Sequence, residues 1–261
     1  MNILFLGDIV GRPGRNTVAA LLPGLIKRYN ADLIIANGEN AAGGKGITPP
    51  ILKELYENSI DVVTTGNHVW GRREIIKVID KEERLLRPAN MAAGAPGKGT
   101  TIVQCGDHSV GVLNLIGRVF MPPADCPFQT AAQKIPLLQK VTPNIIVDFH
   151  AEATSEKIAM GRFLKGRVSA VFGTHTHVQT ADEKIYDEGT AYITDAGMTG
   201  PYHSVIGLDP ELVLDGFLTG LPTRWRLAAG EGLLNGIYLQ IDPQSGKALK
   251  IERIAKKCDL A

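Results

Sequence analysis

Short apolar runs alternate with helical patterns through the first third of the chain. Ile3-Leu4-Phe5-Leu6 predicts a strand, Val18, Leu21, Leu22, Leu25 and Ile26 recur at helical spacing, and Leu33-Ile34-Ile35-Ala36 predicts a second strand. This is a βαβ unit. Thr48 followed by Pro49 and Pro50 marks a helix start, the helix carries Ile51, Leu52 and Leu55, and Asp61-Val62-Val63-Thr64 resumes the strand pattern. Further strands are predicted over 110–116, 144–149, 169–172, 190–194 and 236–241, with helical patterns in 72–79, 128–140 and 155–162. The later strands follow one another too closely for βαβ units alone. Some antiparallel pairing is therefore expected, with two sheets facing each other between helical layers. No internal repeat or low-complexity tract is present, and the Gly/Pro-rich stretch 92–99 reads as a loop, so residues 1–261 are expected to form a single α/β domain.

Polar residues fall at the ends of these runs. Leu4-Phe5-Leu6-Gly7 leads into Asp8, Ile34-Ile35-Ala36 into Asn37-Gly38-Glu39-Asn40, and Val62-Val63-Thr64-Thr65-Gly66 into Asn67-His68. Val147-Asp148-Phe149 ends at His150, and Val171-Phe172-Gly173-Thr174 at His175-Thr176-His177. Ligands of open α/β sheets bind at the carboxyl ends of strands. A lone histidine reads first as a hydrogen-bonded core or surface residue. Four of the six histidines stand at such ends, and their convergence with Asp, Glu and Asn reverses that reading. The mixed donor set suits Mn, Fe or Zn better than Ca or Mg, which want nearly all oxygen. His175 and His177 have period-two spacing, so an extended segment turns both rings to one side, where two neighbouring ions could take one each.

Composition narrows the picture. The 261 residues carry 28 Lys+Arg against 27 Asp+Glu, a net charge of +1, and 6% aromatic content. Such a balance does not gather polyanions, so stable nucleic-acid binding is not expected, and a nuclease lacks the interleaved basic and stacking residues it needs. With 44% hydrophobic residues and a mean hydropathy of +0.02, the chain is of globular type. No apolar stretch approaches the roughly 18 residues of a membrane span. Cys105, Cys126 and Cys258 form no C-x-x-C pair, which suits a reduced cytoplasmic protein and leaves no thiolate site. Gly43-Gly44-Lys45-Gly46 lacks the Ser/Thr of a phosphate loop, residues 7–14 lack the dinucleotide spacing and place Pro13 at a turn or helix start, and neither G-x-S-x-G nor H-E-x-x-H occurs. The charged runs 81–84 and 247–257 read as solvated faces.

The ordered series G-D, G-E-N, G-N-H, a strand-end His and G-T-H-T-H resembles the calcineurin-like metallophosphoesterase superfamily. More narrowly, G-D-I-V-G-R-P-G-R, N-G-E-N-A-A-G-G-K-G, T-G-N-H-V-W and D-A-G-M-T-G-P resemble the bacterial YmdB-like phosphodiesterases. The resemblance implies a four-layer α-β-β-α sandwich, two mixed sheets flanked by helices, with two divalent transition-metal ions per chain, iron or manganese first and zinc next. It implies that Asp8, Glu39, Asn40 and His177 hold one ion and that Glu39, Asn67, His150 and His175 hold the other, Glu39 bridging. His68 is then the neighbouring general acid, and Arg12, Thr199 and Gly200 are candidate substrate contacts. The wider superfamily's D-x-H is absent, since Val10 stands at the His position and Asn40 takes over its part.

Two cations roughly 3.5–4 Å apart can hold a bridging hydroxide and bind phosphoryl oxygens at once. The implied function is hydrolysis of small phosphodiesters, 2′,3′- and 3′,5′-cyclic nucleotides, by attack of that hydroxide on phosphorus. Asp148, sharing a face with His150, is expected behind the ligands. A regulatory nucleotide-binding protein with slow or incidental hydrolysis is the alternative, but a binding module has no need of a leaving-group acid. A soluble enzyme of this size is often a symmetric homo-oligomer.

Overall fold

The structure is a computed structural model that describes residues 1–259. Its strands, in chain order, are β1 (Asn2–Leu6), β2 (Asp8–Ile9), β3 (Leu33–Asn37), β4 (Val62–Thr64), β5 (Leu85–Leu86), β6 (Thr100–Cys105) and β7 (His108–Ile116). They continue with β8 (Ile145–His150), β9 (Ala170–Thr174), β10 (Lys184–Ile185), β11 (Ala191–Ile193), β12 (Met198–Pro201), β13 (Gly232–Ile241) and β14 (Ala248–Cys258). The helices are α1 (Gly11–Tyr29), α2 (Pro49–Glu57), α3 (Pro127–Gln139), α4 (Thr154–Leu164) and α5 (Pro210–Thr219).

Two mixed sheets result. The first has the order β2-β12-β13-β1-β3-β4-β5, with β14 pairing β13 along its whole length, and the second has the order β10-β11-β9-β8-β7-β6. β1, β3, β4 and β5 run parallel, as do β7, β8, β9 and β11, while β6, β10 and β13 are antiparallel to their neighbours.

Strand alternation builds the layers. On β1, Leu4 and Leu6 face α1 and α2 through Val18, Leu22, Leu52 and Leu55. Ile3 and Phe5 face the other way and meet Val112, Ile146, Ala170 and Phe172 of the second sheet. Phe5 and Phe172 are tilted with centroids 5.1 Å apart, a contact worth about 0.5–1.5 kcal/mol beyond its buried area. On the far side, Leu113, Val147, Phe149 and Val171 pack on Ala131, Ile135, Met160 and Leu164 of α3 and α4. Three apolar interfaces thus separate four layers, α-β-β-α, as expected.

Some elements differ from expectation. The pattern over 72–79 is not an α-helix but a chain of 3₁₀ turns at Val69–Gly71, Arg73–Lys77 and Ile79–Lys81. Arg72 interrupts it in extended conformation, its guanidinium donating to the Ala42 carbonyl at 2.8 and 3.2 Å. Residues 248–257 of the basic stretch lie in β14, whose lysines 250, 256 and 257 remain exposed along a sheet edge, where charge discourages further strand pairing. β6, β12 and α5 are additional. Among the described residues, no helix is long and apolar enough to cross a membrane.

Candidate metal centre

Register brings the strand ends level. β3 and β4 set Asn37 beside Thr64, and β8 and β9 set His150 beside Thr174. The residues that follow, Gly38-Glu39-Asn40, Asn67-His68 and His175-Thr176-His177, therefore meet over one edge of the two facing sheets. Asp8, the first residue of β2, joins them, and its Oδ2 accepts the His175 backbone N–H at 3.1 Å.

The side chains collect in two groups. In one, His150 Nε2 lies 3.1 Å from Glu39 Oε1, 3.1 Å from Asn67 Oδ1 and 3.0 Å from His175 Nδ1. Glu39, His150 and His175 each offer a ligand atom, all within 4.8 Å of one another. In the other, Asp8 Oδ1 lies 3.9 Å from His177 Nε2 and 3.8 Å from His150 Nδ1, while Asn40 Nδ2 lies 3.3 Å from His68 Nδ1. His68 Nδ1 is also 3.4 Å from Glu39 Oε1, and its backbone N–H donates to Glu39 Oε2 at 3.1 Å. Gly66 makes this closeness feasible. A Cβ there would sit 2.1 Å from His150 Cδ2 and 2.3 Å from Glu39 Oε2.

The residues fit a divalent metal. Asp8 Oδ1 and Asn40 Oδ1 are buried without a hydrogen-bond partner, a cost of about 1–3 kcal/mol each that a cation would relieve. Asn40 Nδ2 donates to the Gly44 carbonyl at 3.0 Å, which fixes Oδ1 as its free atom. His177 Nδ1 stands 2.9 Å from the Ile206 carbonyl and His175 Nε2 stands 3.1 Å from Glu152 Oε2. With those nitrogens donating, His177 Nε2 and His175 Nδ1 are left as acceptors toward the site.

Charge in the protein alone is strongly perturbed. Burial raises the Asp8 carboxyl above its usual range. Burial would also raise Glu39, but His150 and His68 overcome it and hold this carboxyl well below the usual carboxylate range. For His150, burial opposes protonation, yet Glu39, Asp8 and Asp148 push the imidazole up to about 9. His175 goes the other way, to about 3, through burial and the neighbouring His150 charge. A site that holds one ring protonated against carboxylates and its neighbour neutral is organised around positive charge.

Several expectations need correction. His175 and His177 are not in extended backbone, since φ is +103° and +65°, so their placement comes from a strained loop and not from period two. Thr199 and Gly200 are buried in β12, with the Thr199 hydroxyl donating to the Asn235 carbonyl at 3.2 Å. Arg12 is exposed at the start of α1 and lines, with Arg72, Gly43 and Leu227, an open cleft of about 410 Å³. Asp148 does lie behind His150 on the same face of β8, fully buried. Lys157, Asp195 and Glu152 support the His175–His177 loop; Asp195 heads the D-A-G-M-T-G-P motif, whereas Lys157 and Glu152 carry no motif that would have singled them out in the sequence.

A two-sheet α-β-β-α sandwich with Asp, Glu, Asn and His gathered at its strand ends is a calcineurin-like metallophosphoesterase, a class that works with divalent metal ions. The chain belongs to the family of YmdB-like proteins, which it matches over residues 4–254. It is 51% identical over 254 residues to the 2′,3′-cyclic-nucleotide 2′-phosphodiesterase of Bacillus subtilis (strain 168), covering 97% of this chain and 96% of that protein. Among solved structures it is similar to a phosphatase from Mycoplasma pneumoniae, with TM-score 0.93, 36% identity, and coverage of 99% of this chain and 94% of that one. A hypothetical protein from Thermus thermophilus superposes with TM-score 0.92 at 40% identity, covering 98% of this chain and 99% of that one.

Proposed function

We propose that this chain is a phosphodiesterase dependent on two divalent transition-metal ions that hydrolyses small phosphodiesters, in particular cyclic nucleotides of the 2′,3′ and 3′,5′ types. The observation that carries the reading is the convergence of Glu39, His150 and His175 ligand atoms, with buried unpartnered oxygens on Asp8 and Asn40. Similarity to a 2′,3′-cyclic-nucleotide 2′-phosphodiesterase supports the substrate class.

In this reading Asp8, Glu39, Asn40 and His177 hold one ion, and Glu39, Asn67, His150 and His175 the other. Iron or manganese is the expected metal, with zinc next, since the donors mix oxygen with imidazole nitrogen. Bound there, the ions make water nucleophilic at neutral pH and offset the charge of the phosphoryl oxygens. The chain itself holds and aligns the phosphodiester. Arg12 and Arg72 put positive charge at the cleft they line with Ala42 and Gly43 and draw the anionic substrate in. His68, partly exposed and anchored at Nδ1 between Glu39 and Asn40, presents Nε2–H to the departing sugar oxygen and gives it a proton as the phosphorus–oxygen bond opens. The reading takes residues 1–261 as one domain, supported by both sheets contributing to one site, and as cytoplasmic, supported by three free cysteines.

The test is elemental analysis followed by assay of the metal-reconstituted chain on 2′,3′-cyclic AMP. Two ions per chain with turnover is the expected result. Tight nucleotide binding without turnover would make the chain a regulatory binder instead.

A further inference from the structure

Behind the ligands lies a fully buried group that the chemistry above does not use: Asp148, Thr174, Thr64 and Asn37. Thr174 Oγ1 is 2.7 Å from Asp148 Oδ1 and 2.9 Å from His150 Nδ1. Thr64 Oγ1 donates to Asp148 Oδ2 at 2.5 Å, much closer than its other acceptor, the Ala36 carbonyl at 3.4 Å. Asn37 Nδ2 donates to the same Oδ2 at 3.0 Å, and the orientation of that amide is set because Asn37 Oδ1 accepts the Glu39 backbone N–H at 3.1 Å.

Proton counting then decides every direction. Asp148 takes donors on both oxygens, so the single hydroxyl proton of Thr174 points to Oδ1. With that proton committed, Thr174 Oγ1 can only accept from His150, and Nδ1 must carry a hydrogen. Nε2, the atom facing Glu39, Asn67 and His175, is then the nitrogen from which a bound metal ion would displace the proton, while Nδ1 keeps its own. The fold anchors the relay at the carboxyl ends of adjacent parallel strands, since Asp148 and His150 share a face of β8 and Thr174 is the last residue of β9, in register with His150.

We propose that Asp148 and Thr174 are positioning residues that set the tautomer of His150, forming a buried relay from carboxylate to hydroxyl to Nδ1–H that aims Nε2 at the metal. This rests on the reading of His150 as a ligand. The relay has a polarity, and a neutral isostere reverses it. In Asp148→Asn the carbonyl oxygen of the new amide stays with the two donors Thr64 and Asn37, so its NH₂ faces Thr174. The Thr174 hydroxyl then accepts from the amide and donates to His150 Nδ1, which moves the ring proton to Nε2 and blocks ligation.

The experiment compares wild type, Asp148→Asn, Thr174→Val and Thr174→Ser by zinc and manganese titration, by thermal unfolding of the metal-free chains, and by ¹H–¹⁵N NMR of the zinc-loaded chains. Loss of such support behind a metal-bound histidine typically costs about 10–100-fold in affinity, which is the loss expected for Asp148→Asn and Thr174→Val. Thr174→Ser keeps the hydroxyl and should bind as wild type. Metal-free Asp148→Asn, relieved of a buried charge, should unfold no earlier than wild type, which a merely structural Asp148 would not allow. In zinc-loaded wild type the His150 Nδ1–H should give an exchange-protected signal that is lost or shifted in Thr174→Val. Wild-type affinity in both Asp148→Asn and Thr174→Val, or a loss in Thr174→Ser equal to that in Thr174→Val, overturns the relay alone. A wild-type chain that takes up no metal overturns the ligand reading together with it.

Discussion

Lys157 Nζ lies 2.6 Å from Asp195 Oδ2, with both side chains almost wholly buried beneath the loop that carries His175 and His177. Asp195 also accepts the Thr176 backbone N–H at 3.1 Å, the Thr176 hydroxyl at 2.7 Å and the Gly197 N–H at 2.8 Å. The residue between the two histidines is thus tied to a buried ion pair, which is what holds a left-handed backbone at both His positions against its intrinsic cost.

Removing one partner of a buried pair leaves the other charge uncompensated. Lys157→Met is expected to lower unfolding free energy by about 3–5 kcal/mol in urea titrations, and adding Asp195→Asn in the same chain should recover part of it. A loss below about 1 kcal/mol would mean the pair contributes no more than a surface ion pair does.

Gly66 is a matter of space. Gly66→Ala would thrust a methyl between His150 and Glu39, both buried, and is expected to cost about 1–3 kcal/mol and to weaken metal uptake. Gly24→Ala, in α1 with no atom within 4 Å of the added Cβ, is the control and should stabilise by about 0.5–1 kcal/mol. Unaltered metal stoichiometry in Gly66→Ala would show that the site opens without losing its ligands.

His68 and Glu39 separate protonation from metal holding. His68→Ala should retain both ions and lose about 10²–10⁴ in kcat, most on substrates with poor leaving groups. Glu39→Gln should abolish turnover while the protein stays folded by circular dichroism. Stripping of both ions by His68→Ala would remove it from the acid role.

Chelation gives the simplest check. Incubation with EDTA should abolish hydrolysis of 2′,3′-cyclic AMP, and manganese or iron(II) should restore it, with thermal stability rising as metal is added because ligand binding to the folded state alone stabilises it. Full activity in a chain shown to be metal-free by elemental analysis would contradict the proposed chemistry.

Much of this arrangement is legible in the sequence because it is local. The apolar runs ending at Leu6, Ala36, Val63, Phe149 and Phe172 mark strands, and parallel pairing makes the residues just beyond them neighbours whatever the details of the loops. Asp148 and His150 share a face by strand alternation alone. By contrast, β14 and the 3₁₀ turns over 69–81 depend on contacts that no short window contains. Arg72, for example, breaks a helical pattern by reaching the Ala42 carbonyl.

The sequence by itself determined the donor chemistry, the order of the strand ends and the family. The first two follow from residue type and from periodicities of two and 3.6, which act over a few residues, and the family from the ordered motifs. Only the tertiary structure decided which atoms of those donors are free, that Thr199 and Gly200 are buried, and that Lys157, Asp195, Glu152 and Thr174 support the histidines. Hydrogen-bond direction and burial depend on partners tens of residues away, as between Lys157 and Asp195, and those partners meet only when α4 packs against the second sheet.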